Sequence, residues 1–359
     1  MNYVNSIKSP ATRKIYTTLL RQFLEFCNLR ETEELLTRLG DLRQIESRII
    51  DFIVSARDQV TYSYSSLKLA AIMAFYSIND LQLNRKKLGK FLGEEVKRQK
   101  DRPYTLEEIH RMLDVADERG KAIILLLTST GMRIGALCGL SFRHLQRIEE
   151  YDLYKVTVYE NTKEEYTCFT SPEAAAALST YLQQRERRGD KIYYDKEKKM
   201  WSPGSSPLFR RGYDKDDPFK IIYASPVTKS TFDYILQQTL EKAGIITITP
   251  KLAGRKTVDR KPVARSNGFR KMVNTTMVKA HVEPLIKEML LGHHTGLEEN
   301  YYRPEEQDLL NEYLKCVDMV TVNQEHRLRR EVQTLKQEIT RFSKMERQIE
   351  ELNRRIGLG

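Results

Sequence analysis

At 359 residues the chain is long enough for two domains with cores of their own, on a prior of roughly 100–200 residues per domain. A formal net charge of +11 and a pI of about 9.3 favour a polyanionic partner. Cys27, Cys138, Cys168 and Cys316 stand far apart with no C-x-x-C, which excludes a disulfide framework or a cysteine zinc site and makes a reducing cytoplasm the expected compartment. Residues 1–10 hold no apolar signal core, and the longest apolar run, Ala122 to Leu127, is too short to span a bilayer, so no membrane partner is expected.

Residues 1–98 read as an all-helical domain. Between Thr12 and Cys27 the apolar residues Ile15, Leu19, Phe23 and Phe26 recur at helical spacing, and Pro10 lies where a helix can start. Further helices are expected over Glu33–Leu39, Ile45–Ala56 and Ser65–Ile78. The first 100 residues hold 17 Lys/Arg against 11 Asp/Glu, a surplus that a solvated surface explains as readily as DNA does. Gly89 to Arg102 is basic and ends at Pro103, so residues 99–103 are taken as a linker.

A second domain, residues 104–320, opens at a capping box of Thr105 and Glu108. Lys121–Thr128 is a buried helix broken at Gly131, and the next helix is expected from about Met132 with Arg133 in its first turn. A cation there opposes the helix dipole unless an anion sits in front of it. Leu153–Tyr159 and Tyr166–Thr170 predict a β-hairpin with Lys163 in its polar turn. Pro172 starts a helix to Arg188, Gly189–Ser225 is a long surface excursion whose Pro207-Leu208-Phe209 packs back, and Ser230–Ala243 is helical. Lys251–Lys271 carries eight Lys/Arg against the single acid Asp259, a composition suited to tracking a nucleic-acid backbone. A helix is expected from Arg270 to about Ala280 and another from Pro284 to Leu291. Gly292 ends the second and leaves His293 on a loop, while Tyr302 lies on a connection before a helix start at Pro304.

The tail, residues 321–359, is of another kind. Leu328, Leu335, Phe342, Ile349 and Ile356 fall seven apart, with Val332 and Ile339 and then Met345 and Leu352 interleaved. That is a heptad coiled coil with a three-residue slip at Phe342, and it favours self-association over folding back on its own domain.

Arg133, Asn267, Arg270, His293 and Tyr302 suit one chemistry. Arginines can hold the non-bridging oxygens of a phosphodiester, and a tyrosine can attack its phosphorus without a metal. Taken singly, each is more commonly a surface or packing residue. Taken together, Thr130-Gly131-Met132-Arg133, Asn267-Gly268-Phe269-Arg270 and Leu291-Gly292-His293, with Tyr302 nine residues beyond His293, resemble the tyrosine recombinase (phage integrase) superfamily. Its corresponding motifs are T-G-x-R, H-x-x-R and L-G-H followed by a tyrosine. Tyr301 is one residue short of that spacing, and the wording KEMLLGHHTGLEENYYRP is most similar to archaeal integrases.

The resemblance implies a mainly α fold with a small β-hairpin or sheet (α+β). It comprises a helical core-binding domain that clamps DNA, a mixed α/β catalytic domain and the C-terminal coiled-coil helix. It implies site-specific cleavage and rejoining of DNA, in which Arg133, Arg270 and His293 brace the phosphate and Tyr302 is the nucleophile. Lys163, with Lys155 a weaker match, is the general acid. No cofactor is implied, because the phosphotyrosyl bond conserves energy without metal or ATP. The implied partners are double-stranded DNA attachment sites, further copies of the chain as a tetramer on paired sites, and an accessory directionality factor. The place of action is the cytoplasmic nucleoid. Lys97, Arg98, Lys100, Arg102, Arg255, Lys256, Arg260, Lys261, Arg265 and Lys271 are the expected DNA contacts. One position departs from the family pattern: Asn267 stands where the motif has histidine, and an asparagine can donate to a phosphate oxygen but cannot carry a proton near neutral pH. Two alternatives use the same features: a type IB topoisomerase, and a DNA-binding architectural protein with a decayed site.

Overall fold

The computed structural model describes residues 2–57, 59–94, 102–195, 197–198, 200–212, 219, 225–246, 263–293, 296 and 302–356, which fall into two units, one up to residue 94 and one from residue 102. In the first unit the described elements are helices: α1 (Asn2–Ser6), α2 (Pro10–Phe26), α3 (Glu34–Thr37), α4 (Leu42–Ala56), α5 (Tyr62–Ile78) and α6 (Arg85–Gly89). Local chemistry sets their starts. Ser9, Thr61 and Asn84 cap α2, α5 and α6 with side-chain oxygens, and Asp41 and Gln44 form a reciprocal capping box on α4. The buried face of α2 is Leu19, Leu20, Phe23 and Leu24, and the last three share a core with Ile49, Phe52, Ile53, Leu69, Ile72 and Tyr76. Ile15, expected on that face, is 44% exposed, because at 100° per residue it lies roughly 110° from the centre of the buried stripe. Glu46, buried on α4, takes Lys87 Nζ at 2.6 Å and the Asn84 N–H at 2.8 Å, which fastens α6 to α4. The chain also forms α1, where no element is expected, and Tyr3 from it donates to the Ala71 carbonyl at 3.1 Å.

The second unit is built around one helix. Its elements are α7 (Leu106–Val115), α8 (Glu118–Thr130), α9 (Ile134–Leu137), β1 (Leu145–Ile148), β2 (Leu153–Val158), β3 (Tyr166–Phe169), α10 (Pro172–Arg187), β4 (Tyr193–Asp195), β5 (Met200–Ser202), α11 (Lys229–Lys242), α12 (Asn267–Lys279), α13 (Pro284–Leu290), α14 (Glu306–Leu314), α15 (Val317–Val320) and α16 (Gln324–Ile356). The capping box at Thr105 and Glu108 is present. From Ala122 to Thr130 every residue of α8 is buried, a helix apolar all round that is stable only when surrounded. Helices α7, α10, α11 and α12 surround it. The hydroxyls of Thr128 and Thr130 satisfy themselves on the Ile124 and Leu126 carbonyls at 2.8 and 2.7 Å.

The expected hairpin is β2–β3, and β1 adds a third antiparallel strand in register Leu145↔Val156 while Val156 pairs with Cys168. Along β2 the buried Val156 and Val158 alternate with half-buried Lys155 and Thr157. The described residues at the start of the 189–225 excursion are pinned more firmly than a surface loop. Leu208 and Phe209 pack back as expected, but Ile192 and Trp201 are buried too. Asp190 joins Arg185, at 2.7 Å, and Arg210 in a buried ion cluster. Its polar composition conceals a carboxylate shared inside by two guanidiniums. Helix α16 runs 33 residues, roughly 50 Å. Among the described residues no helix is long and apolar enough to cross a membrane.

Candidate active site

Two helix ends form the floor of the site. Helix α8 stops at Gly131, whose φ of +61° only glycine adopts readily, and its N–H bonds the Leu127 carbonyl at 3.0 Å. Helix α13 stops at Gly292, φ +63°, in a Schellman turn: the His293 N–H bonds the Glu288 carbonyl and the Gly292 N–H that of Met289, both at 2.9 Å. A Cβ on Gly292 would come within 2.5 Å of the Tyr166 ring.

These two turns aim carbonyls at the arginines. Arg270 donates to the Gly131 carbonyl at 3.0 Å and to the Leu291 carbonyl at 2.6 Å, across 139 and 21 residues of sequence. Arg133 donates to the Gly292 carbonyl at 3.0 Å, 159 residues away. Each guanidinium has five N–H groups, so these bonds set its plane and leave donors over for an anion. Burial and the neighbouring Arg133 charge draw the Arg270 guanidinium below the usual arginine range, while Tyr166 and Glu288 pull it back. The half-buried Arg270 and the exposed Arg133, two like charges close together, suit an anion with more than one oxygen.

Arg133 is the residue before α9, in extended conformation (φ −68°, ψ 139°), and not in the first turn of a helix beginning at Met132. Met132 is buried and its N–H turns back to Thr130 Oγ1 at 3.3 Å, so the chain must extend through Arg133 before the next turn can close. Helix α12 likewise begins at Asn267, ahead of Arg270, with the Gly268 N–H bonded to the Ala264 carbonyl at 2.6 Å. Arg270 therefore lies in its first turn, and Asn267 is exposed at its tip.

Two tyrosines outside the expected set line the corner. Tyr166 is buried next to the Arg270 guanidinium, and burial pushes its hydroxyl far above the usual tyrosine range. Tyr159 stands beside it, ring centroids 6.3 Å apart, raised by burial and lowered by the Arg133 charge. His293 faces Glu288, with Nδ1 2.5 Å from Oε2. Its signal in the sequence is a glycine helix end with an acid four residues before the glycine.

Lys163 lies exposed in the β2–β3 turn, where Glu160 bonds Arg143 and the Asn161 N–H bonds the Glu165 carboxylate at 2.6 Å. Lys155 is taken up by Glu306 at 2.5 Å. Tyr302 is 40% exposed on the segment before α14, whose Leu310 and Tyr313 are buried and whose Tyr313 hydroxyl donates to the Ser129 carbonyl. Arg133, Arg270 and His293 are thus brought together. Lys163 and Tyr302 form no hydrogen bond with that trio among the described residues.

Of the expected DNA contacts, Arg102 is held by Glu108 and by the Pro103 carbonyl, and Arg265 donates to Gln237 at 3.0 Å. Lys271 follows Arg270 on α12. Lys97, Arg98, Lys100, Arg255, Lys256, Arg260 and Lys261, with Tyr301, lie outside the described residues.

The sequence profile of the phage integrase family matches residues 103–307, over half of the chain. Similar solved structures include the XerH site-specific recombinase bound to a palindromic difH substrate in a post-cleavage complex. That match has 13% identity and a TM-score of 0.52, over 80% of this chain and 74% of that one. The pre-cleavage complex of XerH with difH matches at 15% identity and TM-score 0.50, over 80% and 78%. A lambda integrase(75-356) dimer bound to a COC′ core site matches at 13% identity and TM-score 0.48, over 83% and 90%. At such identities the likeness concerns the fold. No curated protein sequence matches the chain significantly.

Proposed function

Since the chain belongs to the phage integrase family and is a tyrosine site-specific recombinase, we propose that it cuts and rejoins duplex DNA through a 3′-phosphotyrosyl intermediate at the corner formed by α8, α12 and α13. The observation that carries the proposal is the convergence of Arg133 and Arg270, which come from distant parts of the sequence, on the consecutive carbonyls of Leu291 and Gly292, directly before His293. A phosphoryl group gains charge as it is attacked, and donors already fixed in place stabilise that charge without reorganising. Tyr302 Oη attacks phosphorus, the P–O5′ bond breaks, and the O5′ takes a proton from Lys163 Nζ. A 5′-hydroxyl from the exchanging strand then attacks the phosphotyrosine and releases Tyr302. The Lys155–Glu306 ion pair supports Lys163 over Lys155 as the acid. Neither metal nor ATP enters this scheme.

The partner is double-stranded DNA carrying an attachment site. Exchange between two sites cuts four strands and so calls for four tyrosines, a tetramer, with an accessory factor to set direction. The first unit and the basic residues 97–102 and 251–271 hold the duplex, and the exposed apolar stripe of α16 joins copies of the chain. The wording around His293 supports a likeness to archaeal integrases, and on this reading the chain acts on DNA in the cytoplasm.

The test uses randomised nicked duplexes as suicide substrates, with covalent adducts captured in SDS and the trapped DNA sequenced. Wild type and Tyr301→Phe should yield adducts and Tyr302→Phe none, with duplex binding retained in all three. Adducts in Tyr302→Phe would move the nucleophile. Sequence-independent relaxation of a supercoiled plasmid would instead point to a topoisomerase. Binding without any adduct is the outcome favoured if the loss of histidine at Asn267 has silenced the site.

A further inference from the structure

Glu288 stands directly behind His293, and the chemistry above makes no use of it. In a Schellman turn the third residue from the helix end and the second residue beyond it are brought side by side, a place where two apolar side chains commonly meet. In α13 those two positions are Glu288 and His293. Their side chains bond as well as their backbones: His293 Nδ1 lies 2.5 Å from Glu288 Oε2, while Lys287 Nζ lies 2.9 Å from the other oxygen, Oε1. Both carboxylate oxygens are therefore engaged. Burial pushes Glu288 up, but the bonds from Lys287 and His293 hold it below the usual carboxylate range, so it is an anion near neutral pH. Among the described residues, the other charges facing the pair are Arg270 from α12, and Arg133 on the adjoining Gly292 carbonyl.

An ionised carboxylate only accepts hydrogen bonds, so His293 must carry a proton on Nδ1. Nε2 is then the nitrogen left to exchange protons. Asn267, at the tip of α12, has no proton to exchange. We propose that Glu288 is a positioning residue for His293, and that the pair takes the proton of the attacking tyrosine. The proposal rests on the recombinase reading of the site.

As Tyr302 Oη bonds to phosphorus, its proton passes to His293 Nε2. The electron pair of the broken P–O5′ bond leaves on O5′, which Lys163 protonates. The imidazolium so formed lies between the Glu288 carboxylate and the phosphoryl oxygens, so its positive charge appears as theirs builds. On rejoining, the incoming 5′-hydroxyl returns its proton to Lys163, and His293 returns its own to the departing Tyr302 oxygen.

Full-length protein is used throughout, with the captured nicked duplex as substrate. Glu288→Gln keeps the shape and removes the charge. Single-turnover adduct formation should fall by ~10²-fold, the scale of general acid–base assistance, with duplex affinity unchanged. In a His293→Ala background the same change should cost less than ~2-fold, because its effect runs through the histidine. Ring 15N shifts of histidine-labelled protein, assigned by loss of the signal in His293→Ala, should show Nδ1–H in wild type and a shift toward Nε2–H in Glu288→Ala. Wild-type rates in Glu288→Gln, an undiminished loss in the His293→Ala background, or an Nε2–H ring in wild type would each overturn the proposal. Absence of adduct with wild type would overturn the recombinase reading and the proton transfer with it, while the ring shifts would still decide the pairing.

Discussion

In the arginine corner, each functional side chain is held by a group of the same unit: Arg270 by the Gly131 and Leu291 carbonyls, Arg133 by the Gly292 carbonyl, His293 by the Glu288 carboxylate. In α16 the opposite holds. Leu328, Val332, Leu335, Ile339, Phe342, Met345, Ile349 and Leu352 are each 46–64% exposed along a 33-residue helix. An isolated helix in water is only marginally stable, and a continuous apolar stripe is a surface that another helix can cover. The contrast separates two tasks. On the proposed function, one protomer organises its own phosphate site, whereas assembly would draw on surface that one protomer leaves uncovered.

The largest effect that would test this separation is at Arg270. Arg270→Ala should lower cleavage by ~10²–10³-fold, the scale of losing one preorganised donor, while duplex affinity changes little because other cations hold the backbone. Rapid-quench cleavage alongside titration of duplex binding checks it, and equal losses would reduce Arg270 to an ordinary phosphate contact. Next comes Gly292→Ala, which places a Cβ against Tyr166 at a φ of +63°. The strain of about 1–2 kcal/mol should appear in thermal unfolding, and cleavage should drop further than stability because His293 is displaced.

The tail variants probe the other side of the contrast. Leu335→Asp with Ile339→Asp should weaken self-association at least ~10-fold, as sedimentation would show, since ~1.4 kcal/mol suffices for that. Single-site adduct yield should stay at the wild-type level. Loss of the adduct in this variant would mean that the tail serves its own catalytic domain after all. The smallest effect is expected of Asn267→His, on an exposed helix tip: cleavage unchanged or modestly raised in the same assay. A steep fall would show the asparagine to be an adapted part of the site.

Much of this molecule is legible within a few residues of sequence. The Thr105–Glu108 capping box, the glycine ends at Gly131 and Gly292, the β2–β3 hairpin and the heptad tail depend on neighbours close in the sequence, so chain order alone states them. The motif spacing also proposes Arg133, Arg270 and His293 as a set. Tertiary structure alone decided how they meet, because Gly131 and Arg270 are 139 residues apart and only packing around α8 brings a carbonyl of one to the guanidinium of the other. It decided that Ile15 faces outward, that β1 joins the sheet, that polar residues 185–210 hide a buried ion cluster, and that Arg133 precedes its helix. It also placed a carboxylate behind His293, where periodicity alone would put one more charged residue near a helix end. Caps and turns close over a few bonds and are written locally, whereas a site of like charges is held only by groups that folding brings from far along the chain.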